Sequence, residues 1–157
     1  WRLNMKFEGH AKYGVASLIV ASLATSIDGV FEPLVIPVAL AFSFFPDLDT
    51  NSIPQRWFYR ALTVALLVLS YKGMDKHAIA LAIVCVSPLL HKHRGWTHEL
   101  WAPFIFPFFI AIVFGYIVFG HTPDQIEWID MFRNYWKYII ASIIGWTAHL
   151  IADGKFR

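Results

Sequence analysis

Residues 100–120 run for 21 positions without a formal charge. At about 1.5 Å per residue a helix of that length reaches across roughly 30 Å of hydrocarbon. Five further apolar stretches share the chain, at 13–27, 33–46, 57–71, 77–90 and 138–152. Among Asp, Glu, Lys and Arg, only Arg60 falls inside any of these five. Several are nearer 15 than 20 residues, a length that also suits the buried helix of a soluble protein. Composition separates the two readings. Asp, Glu, Lys and Arg make up 15% of the chain and the apolar set 57%, where a soluble domain carries about 25% charged residues. So few charges cannot cover the surface of a water-soluble domain this size.

The same numbers exclude other classes. Aromatics at 17% are foreign to disordered chains. The single cysteine, Cys85, lies in an apolar run and rules out a disulfide scaffold. A net charge of +2 with no basic run does not suit nucleic acid binding. The sequence therefore predicts an all-α, polytopic transmembrane bundle of about six helices, some short or interfacial, as one domain over 1–157. Arg2, Lys6 and Lys12 before the first apolar run resemble the start of a secretory signal. Further spans follow it, so the segment reads as a retained first helix, with Trp1 to Asn4 as an upstream remnant before Met5. The polar connection 121–137, with Asp124, Glu127 and Asp130, reads as an exposed loop or short interfacial helix.

If all six stretches cross in alternation, the N-terminus, 47–56, 91–99 and the C-terminus share one face. Arg2, Lys6, Lys12, Arg56, Arg60, Lys92, Arg94, Lys155 and Arg157 lie there, nine basic residues, against Lys72, Lys76, Arg133 and Lys137 opposite. The positive-inside rule makes the nine-residue face cytoplasmic, with both termini on it. His10, His91, His93, His98 and His149 sort to the same face, with His77 and His121 opposite. Asp47, Asp49 and Asp153 join them. Ionisable groups at a membrane edge are costly and point to function.

His149 and Asp153 are four apart on a predicted helix and share a face, a spacing that suits two metal ligands or a histidine braced by a carboxylate. Asp47 and Asp49 follow Pro46 in a turn; in an extended segment they would point to opposite sides. His93 and His98 would diverge on a regular helix, and Gly95 permits a turn that brings them together. Each pair alone is a weak signal: a histidine and aspartate four apart are more often a structural hydrogen bond than a metal site, and Asp47 with Asp49 also reads as a capped, helix-ending turn. Gathered on one face, they point to a divalent metal site at the membrane edge. Imidazole with carboxylate suits zinc first, then manganese or iron, and seven candidate ligands (His10, Asp47, Asp49, His93, His98, His149, Asp153) suffice for one or two ions. Such a centre activates water and stabilises charge on a phosphoryl or carbonyl oxygen. Arg94 suits an anionic substrate, Asp49 is a candidate catalytic carboxylate, and Glu8 or Glu99 a candidate base.

At these residues the chain resembles the YdjM-like, membrane-bound metal-dependent hydrolases of bacterial inner membranes. The resemblance is carried by His10 with Gly14, Pro46-Asp47-Leu48-Asp49, His93-Arg94-Gly95-Trp96-Thr97-His98 and His149-Leu150-Ile151-Ala152-Asp153. It spans almost the whole chain, and the central motif is its most specific part. Glu99 and Thr50 stand where members of that family often carry serine and histidine. The resemblance implies a metal-dependent hydrolase and, for some members, induction under LexA control on DNA damage.

The expected function is hydrolysis of a phosphoester or lipid-like substrate at the cytoplasmic interface of a bacterial inner membrane, with membrane lipid as partner. A phosphohistidine mechanism lacks its Pro-Ser-Gly-His element, and a metalloprotease its His-Glu-x-x-His. Two alternatives stand beside the hydrolase: a metal-binding transporter or channel, and a non-catalytic membrane interaction protein with a structural metal. A transporter would carry ionisable groups along its spans, and here they gather at one end.

Overall fold

The computed structural model describes residues 2–49, 53–90 and 95–154, without the side chains of 2–11, 49, 53–54 and 123. The described residues are all-α. Six helices follow in order: α1 (Arg2–Thr25), α2 (Val35–Phe44), α3 (Ile53–Tyr71), α4 (Asp75–Val86), α5 (Ala102–Phe114) and α6 (Trp128–Ala152). Short 3-10 turns at Phe45–Asp49, Ser87–Leu90 and Trp96–His98 close or join them.

Each apolar stretch lies on one helix, but two helices begin well before the apolar residues do. Hydropathy marks what tolerates hydrocarbon, whereas a helix continues wherever its backbone hydrogen bonds do. α6 therefore takes in Asp130, Arg133, Asn134 and Lys137 ahead of its apolar half, so of 121–137, expected as an exposed loop or short interfacial helix, 128–137 is helical and only 121–127 is a connection. Pro46 does not open an extended segment either. It sits in a 3-10 turn that continues α2, so Asp47 and Asp49 belong to a helical turn rather than to a strand-like one. Proline's fixed φ suits an early position in such a turn.

α6 is the central element. It packs against α2 and α1 and touches α5, while α3 packs on α4 and α4 on α5. Where α1, α2 and α6 meet, Ala21, Val35, Ala39 and Ala141 are buried, and side chains as small as the three alanines let helix axes approach closely. At Gly145 the approach is closest, since a Cβ there would lie 2.1 Å from the Ala39 carbonyl oxygen. The larger core is aromatic: Phe45, Phe106 and Trp146 are buried, with Phe42 and Trp96 packed on them. Ring centroids there stand 4.8 Å (Phe45–Phe106), 5.1 Å (Phe45–Trp146) and 5.2 Å (Phe106–Trp146) apart.

α5 starts with proline at its head, where a missing N–H costs nothing, and carries Pro107 inside. It runs on as a π-helical turn, Gly115–Phe119, stopped by Gly120 at φ 72°. Ala102–Phe119 is the one described helix clearly long and apolar enough to cross a membrane, with mean hydropathy 2.3, and shorter apolar helices run over Lys12–Thr25 and Val35–Leu48. Large apolar side chains are exposed around the bundle, among them Leu23, Ile27, Val64, Leu67, Phe104 and Ile105.

Candidate metal centre

The ends of three helices meet on the aromatic core. The turn after α2 supplies Asp47, the turn before α5 supplies His98, and the last turn of α6 supplies His149 and its C-cap Asp153. One ligand atom each from Asp47, His98 and His149 lies within 4.8 Å of the others. His98 Nε2 is 3.3 Å from Asp153 Oδ2 and 4.0 Å from Asp47 Oδ1. His149 Nε2 is 3.6 Å from Asp47 Oδ1 and 3.9 Å from Asp153 Oδ2. Ligand atoms bound tetrahedrally at ~2.0–2.2 Å stand about 3.3–3.6 Å apart. The cluster is at that scale or slightly wider.

The far side of each imidazole decides what the near side offers. His149 Nδ1 lies 2.9 Å from the carbonyl oxygen of Ser43. A carbonyl only accepts, so Nδ1 donates, and in the neutral ring Nε2 then carries the lone pair. His98 Nδ1 lies 3.1 Å from the Thr97 hydroxyl, which reaches the Pro46 carbonyl at a long 3.5 Å. A hydroxyl donating to Pro46 can accept from Nδ1–H, which gives His98 the same tautomer. Two Nε2 lone pairs and two carboxylates thus converge as acceptors, and acceptors crowded together call for a cation. A metal ion fits this donor set, and the braces on Nδ1 are the kind that orient metal-ligating histidines.

Trp146 fixes the floor. Its ring is 1% exposed, and its indole N–H donates to the Thr97 carbonyl at 2.8 Å. The histidine side chains are 1% exposed, whereas Asp47 is 34% exposed. The cluster is therefore sealed beneath and open on the Asp47 side.

The structure brings together four of the residues expected from sequence: Asp47, His98, His149 and Asp153. His10 and Glu8 lie on α1, with side chains outside the described residues. His10 is one helical turn ahead of Gly14, whose Cβ position would meet Ser43 Oγ at 3.6 Å. Asp49 ends the turn that carries Asp47, its side chain likewise outside. His93 and Arg94, with His91, fall outside the described residues altogether. His121 stands at the other end of the bundle, on the connection from α5 to α6. Ser43 and Trp146 went unread in the sequence, the first because its contribution is a backbone carbonyl. Trp146 had a usable signal: it is three residues before His149, on the same helical face.

Neither the curated proteins nor the solved structures contain a match. The model of the family described as YdjM inner membrane protein matches residues 5–155, a span that takes in the whole cluster. This chain, an inner membrane protein, belongs to that family.

Proposed function

We propose that the protein is a multi-pass, membrane-bound metal-dependent hydrolase whose substrate is a phosphoester or lipid-like molecule reached from the cytoplasmic interface. The observation that carries this reading is the convergence of His98 Nε2 and His149 Nε2 on Asp47 and Asp153, with each Nδ1 turned onto a protein oxygen. These four residues would hold the ion, zinc by preference, with His10, Asp49 and His93 as the ligands available for a second. A divalent ion there supplies Lewis acidity, lowering the pKa of water and taking up charge on a phosphoryl oxygen.

The chain's own residues do the rest. Ser43 and Thr97 hold the two imidazoles in one tautomer. The Trp146 layer keeps water from entering beneath. Exposure of Asp47 leaves substrate a side to approach, as a catalytic rather than a closed structural site requires. Arg94 is the candidate partner for the phosphate, Asp49 the candidate catalytic carboxylate, and Glu8 a candidate base. The cytoplasmic orientation rests on the nine-to-four split of basic residues, and the multi-pass arrangement on the apolar side chains exposed around the helices.

Metal analysis of detergent-purified protein tests the reading. Wild type is expected to hold at least one divalent ion per chain, and His98→Ala and His149→Ala to lose it. Wild type without stoichiometric metal would overturn the proposal. A screen of phosphoester and lipid substrates follows, with Asp49→Asn as the inactive control.

A further inference from the structure

The other half of the bundle holds a cavity of about 650 Å³ between α2, α5 and α6, within the range of small-molecule sites. Its walls are apolar, from Phe42 and Phe114 to Ile139. Polar side chains gather at one end: His121, Glu127, Asp130 and Asn134. The lining runs along α6 from Glu127 to Ser142, about 22 Å at 1.5 Å per residue. One leaflet of a bilayer, headgroups included, is roughly 20–22 Å. At its inner end the cavity stops at Phe42, whose ring stacks on Trp146 at 6.1 Å, so the aromatic layer walls it off from the histidine cluster. The smallest lining residues, Ala111, Gly115 and Ser142, provide the room, and Gly115 opens the π-helical turn, a helix distortion often found at functional sites.

Apolar walls around a space of this size give water too few partners. In a membrane the molecule at hand to fill it is a lipid chain. The mouth selects the headgroup. Glu127 and Asp130 line it, and Arg133 pairs with Asp130 at 3.6 Å while remaining largely exposed. Two carboxylates repel an anionic headgroup and attract an ammonium, and the guanidinium beside them suits a phosphate. Trp128 stands at the same level of α6, with Tyr135 about two turns further in, and amphipathic rings favour the membrane interface.

We infer that this cavity binds one acyl chain of an amine-headed zwitterionic phospholipid from the leaflet opposite the histidine cluster. The inference rests on the multi-pass reading and not on the metal. Native mass spectrometry of detergent-purified protein, given phosphatidylethanolamine or phosphatidylglycerol of identical chains, tests it. Wild type is expected to retain one phosphatidylethanolamine in roughly twofold to fivefold preference, the scale of exposed charge pairs. Glu127→Gln with Asp130→Asn should keep binding and lose that preference. Ala111→Phe and, independently, Ser142→Leu should reduce retention of both lipids, with divalent-metal content as in wild type. Equal retention of the two lipids by wild type, or undiminished retention by both filled variants, would overturn the inference. Release of the protein from membranes by carbonate alone, read before any lipid is added, would instead overturn the multi-pass reading.

Discussion

The two ends of this bundle are built on opposite terms. At one end His98, His149, Asp47 and Asp153 are crowded onto a close-packed aromatic floor, with the His149 ring held by the Ser43 carbonyl and the His98 ring by the Thr97 hydroxyl. At the other, an apolar cavity lies between the same α2, α5 and α6, with its polar groups at the mouth. Burying a polar group costs free energy unless it is hydrogen-bonded, so the cluster end has to be rigid and fully braced. The cavity end carries no such demand and can stay loose. Variants at the floor should therefore damage both stability and metal binding, and variants at the far end should cost little stability and leave metal binding intact.

The largest effect is expected at Trp146. Truncation to alanine removes a side chain fully enclosed by Phe42, Phe45 and Phe106 and deletes the donor to the Thr97 carbonyl. Trp→Ala in a packed core costs about 3–5 kcal/mol. Thermal unfolding in detergent should show that loss together with loss of bound metal. Trp146→Phe, which keeps most of the ring packing, should recover most of the stability but only part of the metal affinity. An alanine variant as stable as wild type would remove the distinction between the two ends.

Gly145→Ala comes next. The new Cβ would have to move from 2.1 Å of the Ala39 carbonyl oxygen to ordinary contact, and it can do so only by parting α2 from α6. Overpacking of this kind typically costs about 1–3 kcal/mol, against the roughly 0.8–1 kcal/mol that alanine ordinarily gains over glycine in a helix, and contact with backbone rather than a flexible side chain puts this site at the upper end. Because Ser43 rides on α2 and His149 on α6, the same shift lengthens their hydrogen bond. A lowered melting temperature with weakened metal binding is expected; a gain in stability would show that the helices are not in close contact there.

Thr97→Val separates bracing from packing. It keeps the shape and removes the hydroxyl between His98 Nδ1 and the Pro46 carbonyl. Loss of such a brace costs about 10–100-fold in metal affinity, read by competition with a chelator, with a modest fall in melting temperature from the loss of a buried hydrogen bond, about 1 kcal/mol. Thr97→Ser should restore the affinity. Equal affinity in Thr97→Val would mean that the His98 tautomer is set elsewhere.

How much of this was legible in the sequence depends on which atoms do the work. The helices and the pairing of His149 with Asp153 follow from side-chain identity and spacing, so a charge-poor run and an i, i+4 pair sufficed. The meeting of Asp47 with His98, 51 residues on, was approached only by assuming alternate crossings. The braces were not legible. Ser43 contributes a carbonyl oxygen that any residue would have, and nothing in its side chain marks it. The start of α6 at Trp128 was hidden because Asp130 and Lys137 look like loop residues on a hydropathy scale. The cavity was hidden as well, since a space is defined by several helices and not by any segment of one.

The smallest expected effect tests the far end. Lys137 on α6 donates to Asp28 Oδ1 at 2.8 Å and to the Val30 carbonyl at 2.6 Å, pinning the connection between α1 and α2. The hydrogen bond from Lys137 holds the Asp28 carboxyl below its ordinary value of 3.8, helped by the Val30 N–H. A carboxyl with a lowered folded-state pKa stabilises the fold above its unfolded value, and that contribution fades as pH falls from about 3.8 through the lowered value. Melting temperature in detergent should therefore drop slightly over that acid range in wild type, and Lys137→Met should flatten the drop. The Asp28 carboxyl is exposed and screened by salt, so the difference should be small and should shrink further at high ionic strength. Metal content near neutral pH should not change, because nothing in this pair reaches the histidine cluster. Metal loss in Lys137→Met would mean that the two ends are coupled through α6, and the contrast between a braced end and a loose one would have to be given up.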